Sequence, residues 1–378
     1  MNDQIPANGL RLISRLTDSG ELELSIEAAA TKAPGAGDVV IRVEAAPINP
    51  SDLGVLLGAG DVSTATVTGE GAARRTLVQV PEAGRRAMAG RRGAAIPVGN
   101  EGAGIVVAAG EGATALIGRA VAVAAGGMYG QYRTVAAAEC LVLPDGVSPA
   151  QGASCFVNPL TALSMVENMR MEGHKALVHT AAASNLGQML HKLCEKDGVP
   201  LVNIVRSPAQ AVLLKELGAR YVCDSSAPDF LAALTEAVAE TGATIAFDAI
   251  GGGRMASTIL TAMESAAVRQ MTSYNGYGSA VHKQVYLYGS LDTGPTEVTR
   301  GFGVAWSIGG WLLPMFMQKL GLARMIELRA RVAAEITTTF ASHYTQTVTL
   351  ADLLRPDILQ AVARKATGEK YLLTPASL

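Results

Sequence analysis

Residues 175–187, KALVHTAAASNLG, decide the fold of this chain. Residues 176–179 form a short, mostly apolar run typical of a buried strand, and from Leu186 to Glu195 the apolar residues recur at helical spacing. A turn of small residues lies between the two segments. The stretch therefore predicts a strand, a tight turn and a helix, the first building unit of a doubly wound sheet.

The same alternation continues downstream. Short apolar segments alternate with segments of helical period, and strands that are apolar on both faces indicate a parallel sheet covered by helices on both sides. The predicted strands are 200–205, 221–223, 244–248 and 268–272, and the predicted helices are 209–217, 230–240 and 255–263. We therefore predict the fold class α/β, with a doubly wound parallel sheet (Rossmann) domain over residues 151–329.

The remaining residues have strand patterns. Short β-branched or apolar runs punctuated by glycine, typical of a small β-barrel, occur at 10–16, 38–44, 105–109 and 120–124. Residues 60–95 have no clean period and are interpreted as a loop-bearing insertion. The strand pattern returns at 370–374, which we expect to pair with the first domain. One domain is thus predicted from residues 1–150 and 330–378.

The turn at Ala182 to Gly187 predicts a dinucleotide site. Small residues at Ala182 and Ser184 let backbone N–H groups approach a pyrophosphate, and Gly187 permits close packing of the helix on the strand. Asn185 and Leu186 begin that helix and are included in the predicted cofactor site. An ordinary tight turn is the alternative interpretation.

The end of the next strand predicts which dinucleotide binds. A domain specific for NAD usually carries a carboxylate there, whereas this chain has Arg206 and Ser207, followed by Gln210 on the next helix. A guanidinium pairs with a 2′-phosphate, so the predicted cofactor is NADP(H). A solvated surface arginine is the alternative.

Two later strand ends complete the predicted cofactor site. Ala249, Ile250 and Gly251 follow the strand at 244–248, where small residues suit an approach to ribose. Tyr274 and Asn275 follow the strand predicted at 268–272 and are expected to meet the nicotinamide amide. Asp248 resembles a catalytic acid, but an aspartate at a strand end more commonly caps local N–H groups.

Composition excludes several classes of protein. The net charge is −2, with 49 % hydrophobic and 17 % charged residues, which indicates a large core and argues against a nucleic-acid or membrane surface. Four scattered cysteines and a start without an apolar signal segment indicate the cytoplasm. Residues 301–320 are long and apolar enough to span a bilayer, but their glycines and proline favour a buried lid or core helix.

Five segments together resemble medium-chain dehydrogenases/reductases over nearly the whole chain. They are NPSD at 49–52, GNEGAGIV at 99–106, GGMYGQY at 126–132, NPLTA at 158–162 and GEKYLLTP at 368–375. The forms at 49–52 and 158–162 are most similar to the zinc-free quinone oxidoreductase and enoyl reductase branch. The resemblance implies a GroES-like β-barrel built from both termini around a central Rossmann domain.

The resemblance also locates the catalytic zinc of the alcohol-dehydrogenase branch. Asn49 stands where that branch has a cysteine and Asn100 where it has a histidine, and the third ligand position falls near Val157. Carboxamide oxygens are poor zinc ligands, and Glu101 or Cys155 alone does not make a site. We therefore predict no metal.

Without a metal, the enzyme must either polarise a carbonyl by hydrogen bonds or deliver hydride to an acceptor that needs little help. The catalytic candidates are Asn49, Tyr132 and Thr161, with Tyr129 as a further donor and Asn158 bracing the cofactor. The simpler alternatives are that Asn49 caps a turn and Tyr132 belongs to the core.

The enoyl reductases that the chain resembles carry a tyrosine proton donor after the Asn-Pro motif, and residues 53–58 contain none. We therefore expect a small hydrophobic quinone or α,β-unsaturated carbonyl as substrate. An enoyl-thioester reductase and a non-catalytic NADPH-binding redox sensor remain alternatives. Residues 286–320 are interpreted as a lid over the substrate or as a subunit interface, and a homodimer is expected.

Overall fold

A computed structural model of the chain describes residues 6–70 and 73–377. These residues form two compact units. The first, called here the antiparallel unit, comprises the residues up to Val157 and from Arg329 on, and the second, the parallel unit, is Asn158–Leu328. The sequence predicts these divisions at residues 150/151 and 329/330.

The strands and helices follow one another along both units. The strands are β1 Asn8–Leu16, β2 Glu21–Ala30, β3 Asp38–Pro47, β4 Asp61–Thr68, β5 Arg75–Gln79, β6 Ile96–Pro97, β7 Gly102–Ala109, β8 Ala120–Val123, β9 Tyr132–Ala136, β10 Leu141–Val142, β11 Leu177–His179, β12 Leu201–Val205, β13 Tyr221–Asp224, β14 Ile245–Asp248, β15 Gly251–Gly253, β16 Lys283–Leu287, β17 Asp292–Thr296, β18 Trp306–Gly310, β19 Gln346–Val348 and β20 Tyr371–Leu373. The helices are α1 Leu53–Leu56, α2 Glu82–Ala87, α3 Pro149–Gly152, α4 Val157–Met171, α5 Asn185–Asp197, α6 Pro208–Glu216, α7 Phe230–Thr241, α8 Met255–Val268, α9 Leu313–Leu320, α10 Leu322–Glu335 and α11 Pro356–Ala363.

The antiparallel unit contains two sheets around one apolar core. One sheet has the order β4-β5-β2-β1-β6, and in the other β3 pairs with β7, β9 and β20. Side chains alternate between core and surface along β2, where Leu22 and Leu24 are completely buried. Leu372 of β20 lies opposite Pro47, so the predicted pairing of the tail with the first domain is confirmed.

The parallel unit is a six-stranded sheet in the order β13-β12-β11-β14-β16-β18, with every neighbouring pair parallel. Numbered within this unit, the order is 3-2-1-4-5-6, that of the Rossmann fold. The chain reverses its direction of winding between β11 and β14, where the carboxyl ends of adjacent strands flank a crevice. The predicted fold class is thus confirmed.

The prediction of a strand at 268–272 is wrong. Helix α8 ends at Val268, and the fifth strand is β16, Lys283–Leu287. An apolar pattern search passes over β16 because it begins with Lys283, yet the side chain of Lys283 is completely buried. Tyr274 and Asn275 therefore lie in a loop that precedes the fifth strand.

The predictions for two further segments also need correction. Residues 301–320 are not one helix, since strand β18 is the sixth strand of the sheet and α9 follows it. Residues 60–95 contain β4, β5 and α2 as well as loops. Among the residues that the structure describes, no helix is long and apolar enough to cross a membrane.

A buried ion pair fixes the loop before β16 to helix α8. Lys283 Nζ lies 2.6 Å from Glu264 Oε2, and the backbone N–H of Ser279 donates to Glu264 Oε1 at 2.7 Å. Gly278 has φ +87° and a Cβ there would lie 2.3 Å from Glu264 Oε1, so only glycine allows this approach. Burial opposes ionisation of Glu264, but the hydrogen bonds from Lys283 and Ser279 outweigh it and lower the pKa of its carboxyl.

We predict that Glu264→Gln destabilises the parallel unit. The substitution leaves the ammonium of Lys283 buried without a counter-charge, which costs about 3 kcal/mol or more. The free energy of unfolding in urea measures the loss. Glu236→Gln is the matched control, because Glu236 pairs with Arg269 at the surface and should change stability by less than about 0.5 kcal/mol. Equal effects of the two substitutions would contradict the prediction.

Candidate functional site

The turn between β11 and α5 brings the predicted small residues into close contact. Ser184 is the N-cap of α5, and its Oγ accepts a hydrogen bond from the backbone N–H of Gly187 at 3.1 Å. A Cβ at Gly187 would lie 2.2 Å from the carbonyl oxygen of Ala182, so this position requires glycine. Ala181 adopts a left-handed conformation, φ 51°, which turns the chain sharply into the helix.

The residues just before the N-terminus of helix α5 have small side chains. Ala182 is completely buried, while Ser184 and Asn185 are half-buried and Leu186 is buried. The first N–H groups of a helix have no partner within the helix and carry a partial positive charge. This end of α5 has the chemistry that binds an anion.

The end of β12 carries Arg206 on the surface. Ser207 is the N-cap of α6, and the side-chain oxygen of Gln210 accepts a hydrogen bond from the backbone N–H of Arg206 at 3.1 Å. The side chain of Arg206 forms no ion pair with any residue that the structure describes. The guanidinium is therefore exposed on a backbone that Ser207 and Gln210 hold in place.

Asp248 links the ends of β11 and β14. Its Oδ1 accepts hydrogen bonds from Thr180 Oγ1 at 2.7 Å and from the backbone N–H of Ile250 at 2.9 Å. Its Oδ2 accepts from the N–H of Gly251 at 3.3 Å, and Ala249 donates to Thr180 Oγ1 at 2.8 Å. The interpretation of Asp248 as a capping residue is confirmed. It shapes the two strand ends beside the crevice of the sheet.

Tyr274 and Asn275 do not occupy the strand end on which their predicted role depended. The side chain of Tyr274 is 95 % exposed, and Asn275 Oδ1 accepts from the backbone N–H of Tyr277 at 3.0 Å within the same loop. The residue that follows β16 is Tyr288, whose hydroxyl lies 2.8 Å from Nε2 of the buried His179. A polar turn such as that at 272–276 usually follows a strand, and the sequence therefore predicts a strand before it. In the structure this turn follows helix α8 and precedes β16.

Asn158 and Thr161 lie in the first turns of α4. Thr161 is 7 % exposed and Asn158 is half-buried. Both residues belong to the parallel unit.

A buried polar cluster occupies the centre of the antiparallel unit. Asn49 Nδ2 donates to Glu101 Oε1 at 2.7 Å, and Asn49 Oδ1 accepts from Lys370 Nζ at 3.1 Å. Lys370 Nζ also donates to Ser154 Oγ at 3.0 Å. Glu101 Oε2 accepts from the backbone N–H groups of residues 156 and 157 at 2.8 and 2.9 Å. Asn49, Glu101 and Lys370, quoted above within three separate motifs, thus form one network.

Burial and charge act against each other in this cluster. Burial lowers the pKa of Lys370 to about 8, although the nearby carboxylates of Glu101 and Asp52 oppose that shift. Burial raises the pKa of Glu101, and Lys370 and the N–H donors offset part of the rise. Lys370 could not be predicted as a member of this cluster, because no spacing rule connects residue 370 with residue 49.

Asp52 connects the two positions that the resemblance equates with zinc ligands. Its carboxylate accepts from the backbone N–H of Asn49 and from that of Asn100, both at 2.8 Å. Burial raises the pKa of Asp52 to about 7. Within the described residues, no group of three or more His, Cys, Asp or Glu side chains is placed to hold a metal.

The two tyrosines of the predicted site lie elsewhere. Tyr129 is completely buried and its hydroxyl donates to the carbonyl of Pro47 at 3.0 Å, so the prediction of Tyr129 as a donor to substrate is wrong. Tyr132 begins β9 and pairs with Arg42, five residues before Pro47 on β3 and roughly 17 Å away from it along the strand. The structure therefore does not bring Tyr132 together with Asn49.

Comparison with curated proteins finds similar chains that are less than 30 % identical to this one. The chain is 27 % identical over 283 residues to a quinone oxidoreductase of Pseudomonas aeruginosa, covering 73 % of this chain and 81 % of that one. It is 29 % identical over 198 residues to the mitochondrial enoyl-[acyl-carrier-protein] reductase of Bos taurus, covering 50 % of this chain and 46 % of that one. No protein-family model matches the chain.

One solved structure is similar to this chain over nearly its full length. The crystal structure of a putative NADPH:quinone reductase from Mesorhizobium loti is 27 % identical, with a TM-score of 0.72, and the match covers 98 % of this chain and 100 % of that one. The chain spans about half the length of the first curated relatives that it matches. The resemblance to the quinone oxidoreductase and enoyl reductase branch of the medium-chain dehydrogenases/reductases is confirmed by these relatives and by the fold.

We predict that the pKa of Lys370 makes stability depend on pH. Its folded pKa of about 8 lies below the 10.5 of a free lysine, so the unfolded chain binds more protons between these values. The free energy of unfolding contributed by this group therefore rises with pH across that window. Urea titrations at a series of pH values should show that Lys370→Met removes this rise, whereas exposed Lys319→Met keeps it. Parallel profiles for wild type and Lys370→Met would contradict the prediction.

Proposed function

We propose that this protein is an NADP(H)-dependent oxidoreductase that transfers hydride to a quinone or an α,β-unsaturated carbonyl. The observation that carries the proposal is the pair of strand ends at the sheet crevice, one leading into the bare N-terminus of α5 and the other closed by Asp248. In doubly wound sheets this crevice is where nucleotides bind. The names of the similar proteins, quinone oxidoreductase and NADPH:quinone reductase, support the same activity.

The residues at the crevice fit a dinucleotide. Because Gly187 contacts the carbonyl of Ala182, the helix starts close to the strand, and its N–H groups are available to a pyrophosphate. Ser184 uses its oxygen as an acceptor from Gly187, so its hydroxyl hydrogen remains free to donate to a phosphate oxygen. Arg206 would pair with the 2′-phosphate, and Ala249 and Ile250 would flank the ribose. The bound cofactor supplies the hydride.

We propose that the acceptor is polarised by hydrogen bonds and that no zinc takes part. The carboxylate of Glu101 already accepts three N–H donors, and the oxygen of Asn49 accepts from Lys370. Asn49 thus has one Nδ2 hydrogen left, which makes it the proposed donor of the antiparallel unit. Thr161 is the proposed donor of the parallel unit.

A panel of acceptors tests this activity. NADPH oxidation is measured with quinones, simple enones and acyl-CoA enoyl thioesters, together with the zinc content of the protein. We expect turnover with quinones or enones, no stoichiometric zinc and no effect of a chelator. Binding of NADPH without turnover of any acceptor would instead support a redox sensor.

Enoyl-thioester reduction is the second candidate, and the similarity to enoyl-[acyl-carrier-protein] reductases favours it. The segment after the Asn-Pro motif argues against it. Residues 53–58 include helix α1, in which Leu53 and Leu56 are buried, and offer no tyrosine hydroxyl as a proton donor. Faster turnover of the thioester than of quinones in the panel would make enoyl-thioester reduction the first candidate function.

We predict that Ser184→Asp weakens NADPH binding by well over tenfold. The substitution adds a negative charge beside the phosphates, and the repulsion is on the order of 4 kcal/mol at ~4 Å and an effective dielectric constant of 20. Aspartate is itself a good N-cap, so the melting temperature should change little. Calorimetric titration measures the affinity, and Ser148→Asp, at the N-cap serine of α3, is the matched control. Unchanged affinity would place the cofactor elsewhere.

We predict that Arg206→Ala reduces the preference for NADPH over NADH. A charge-assisted contact with the 2′-phosphate contributes roughly 1.5–3 kcal/mol, about ten- to a hundredfold in affinity. Dissociation constants for both cofactors are compared in wild type, Arg206→Ala and Arg220→Ala. Arg220 is an exposed arginine of the same unit that pairs with Glu240, so its removal should leave the ratio unchanged. The same ratio in all three proteins would show that Arg206 is only a surface charge.

A further inference from the structure

A cavity of about 350 Å³ lies in the antiparallel unit, between the starts of β1 and β9 and the end of β2. Three cationic residues line it, Arg11, Lys32 and Arg133, together with Thr31 and Tyr132. The volume falls within the usual range for small-molecule sites, roughly 300–1,000 Å³. None of the proposed cofactor-binding residues belongs to this unit.

The positive charge of the cavity is not neutralised by the surrounding residues. Among the described residues that line it, none carries a carboxylate. The cross-strand neighbour of Arg11 is Glu27, but the carboxylate of Glu27 pairs with Arg15 at 2.8 Å. The guanidinium of Arg133 donates from Nη2 to the carbonyl of residue 125 at 3.0 Å and forms no ion pair with a described residue. Three cationic residues and no carboxylate therefore line one small volume.

Three hydrogen-bonding atoms in the cavity wall have no partner within the described protein. They are Nε of Arg11, Nε of Arg133 and Oγ1 of Thr31, and each is buried. A buried donor without an acceptor costs about 1–3 kcal/mol. All three atoms belong to residues that line the one cationic cavity, and this coincidence is the observation from which we infer a ligand with several acceptor oxygens.

Glycines provide the space for such a ligand. Gly126 and Gly127 line the cavity with φ +69° and +66°, a conformation that favours glycine. A Cβ at Gly9 would lie 2.8 Å from Cδ2 of Tyr132, so Gly9 makes room for that ring at the cavity wall. The aromatic ring and Pro97 contribute apolar surface to the cavity lining.

We propose that this cavity binds a small molecule through a phosphomonoester group. Such a group carries about −1.5 to −2 charges at pH 7 and three acceptor oxygens, which matches the three cations and the three unpartnered atoms. Each arginine Nε stands beside an Nη in the fork that binds oxyanions in pairs of hydrogen bonds. A carboxylate offers half the charge and two oxygens. The organic part of the ligand packs against Tyr132 and Pro97. This binding site is additional to the function proposed above.

Calorimetric titration of the full chain with phenyl phosphate and with inorganic phosphate, at constant ionic strength, tests the site. We expect phenyl phosphate to bind more tightly than phosphate, because only phenyl phosphate reaches the apolar side of the cavity. Arg11→Gln and Arg133→Gln should each weaken binding about tenfold or more, the effect of losing one charge-assisted contact. Arg119→Gln is the matched control, since Arg119 belongs to the same unit but pairs with Asp145 at the surface and does not line the cavity.

Two further measurements separate this site from the proposed nucleotide site. Arg11→Gln and Arg133→Gln should keep the melting temperature and NADPH affinity of the wild type. Arg206→Ala should bind phenyl phosphate as the wild type does. Loss of phenyl phosphate binding in Arg206→Ala alone would assign it to the nucleotide site. No binding to the wild type, or equal binding to the Arg11 and Arg133 variants, would overturn the proposal.

Discussion

The buried ammonium of Lys370 donates hydrogen bonds to Asn49 and Ser154, and the arrangement of the polar cluster in the antiparallel unit depends on these two bonds. A charge without water is tolerated only where polar groups surround it, and here the carboxylate of Glu101 completes the balance. The network joins the segments just after β3, just before β7 and just before β20 with residues 154–157. Four parts of the chain that are separated in sequence are thereby fixed in one arrangement. The same network sets the orientation of the Asn49 amide, since its oxygen faces a cation and its nitrogen faces an anion.

The parallel unit also contains a buried lysine, but its partner is a carboxylate in direct contact with the ammonium. Lys283 lies in a central strand, a position that usually excludes lysine, and Glu264 on α8 supplies the counter-charge. Gly278 and Gly303, both with positive φ, let the loops approach the carboxylate closely. The pair thus fixes the position of the loop that leads into β16. Desolvation of the two charges offsets much of their attraction, so the net contribution of the pair to stability is smaller than the cost of removing one partner.

Sequence patterns predicted correctly those strands, turns and helices that depend on residues close together in the sequence. The strand, turn and helix at 175–187 follow from an apolar run, small residues and a helical period, and the structure contains them where expected. The turn at Gly187 and the capping role of Asp248 likewise depend on neighbouring residues. Strand β16 was missed because its first residue is charged and its partner is 19 residues away. The cluster around Lys370 was missed for the same reason on a larger scale, because it joins residues 321 positions apart.

The composition of that cluster also constrains the chemistry of the proposed reaction. Lys370 already donates to Asn49 and Ser154, and Glu101 already accepts from three N–H groups. In the proposed reaction, the donors to the hydride acceptor are Asn49, through its second Nδ2 hydrogen, and Thr161. Such neutral donors stabilise a developing oxyanion less than a charged donor does. Acceptors that spread the new charge over a conjugated system need less of that help. Quinones and enones have this property, whereas simple ketones and aldehydes do not, which is why the proposed function rests on conjugated acceptors.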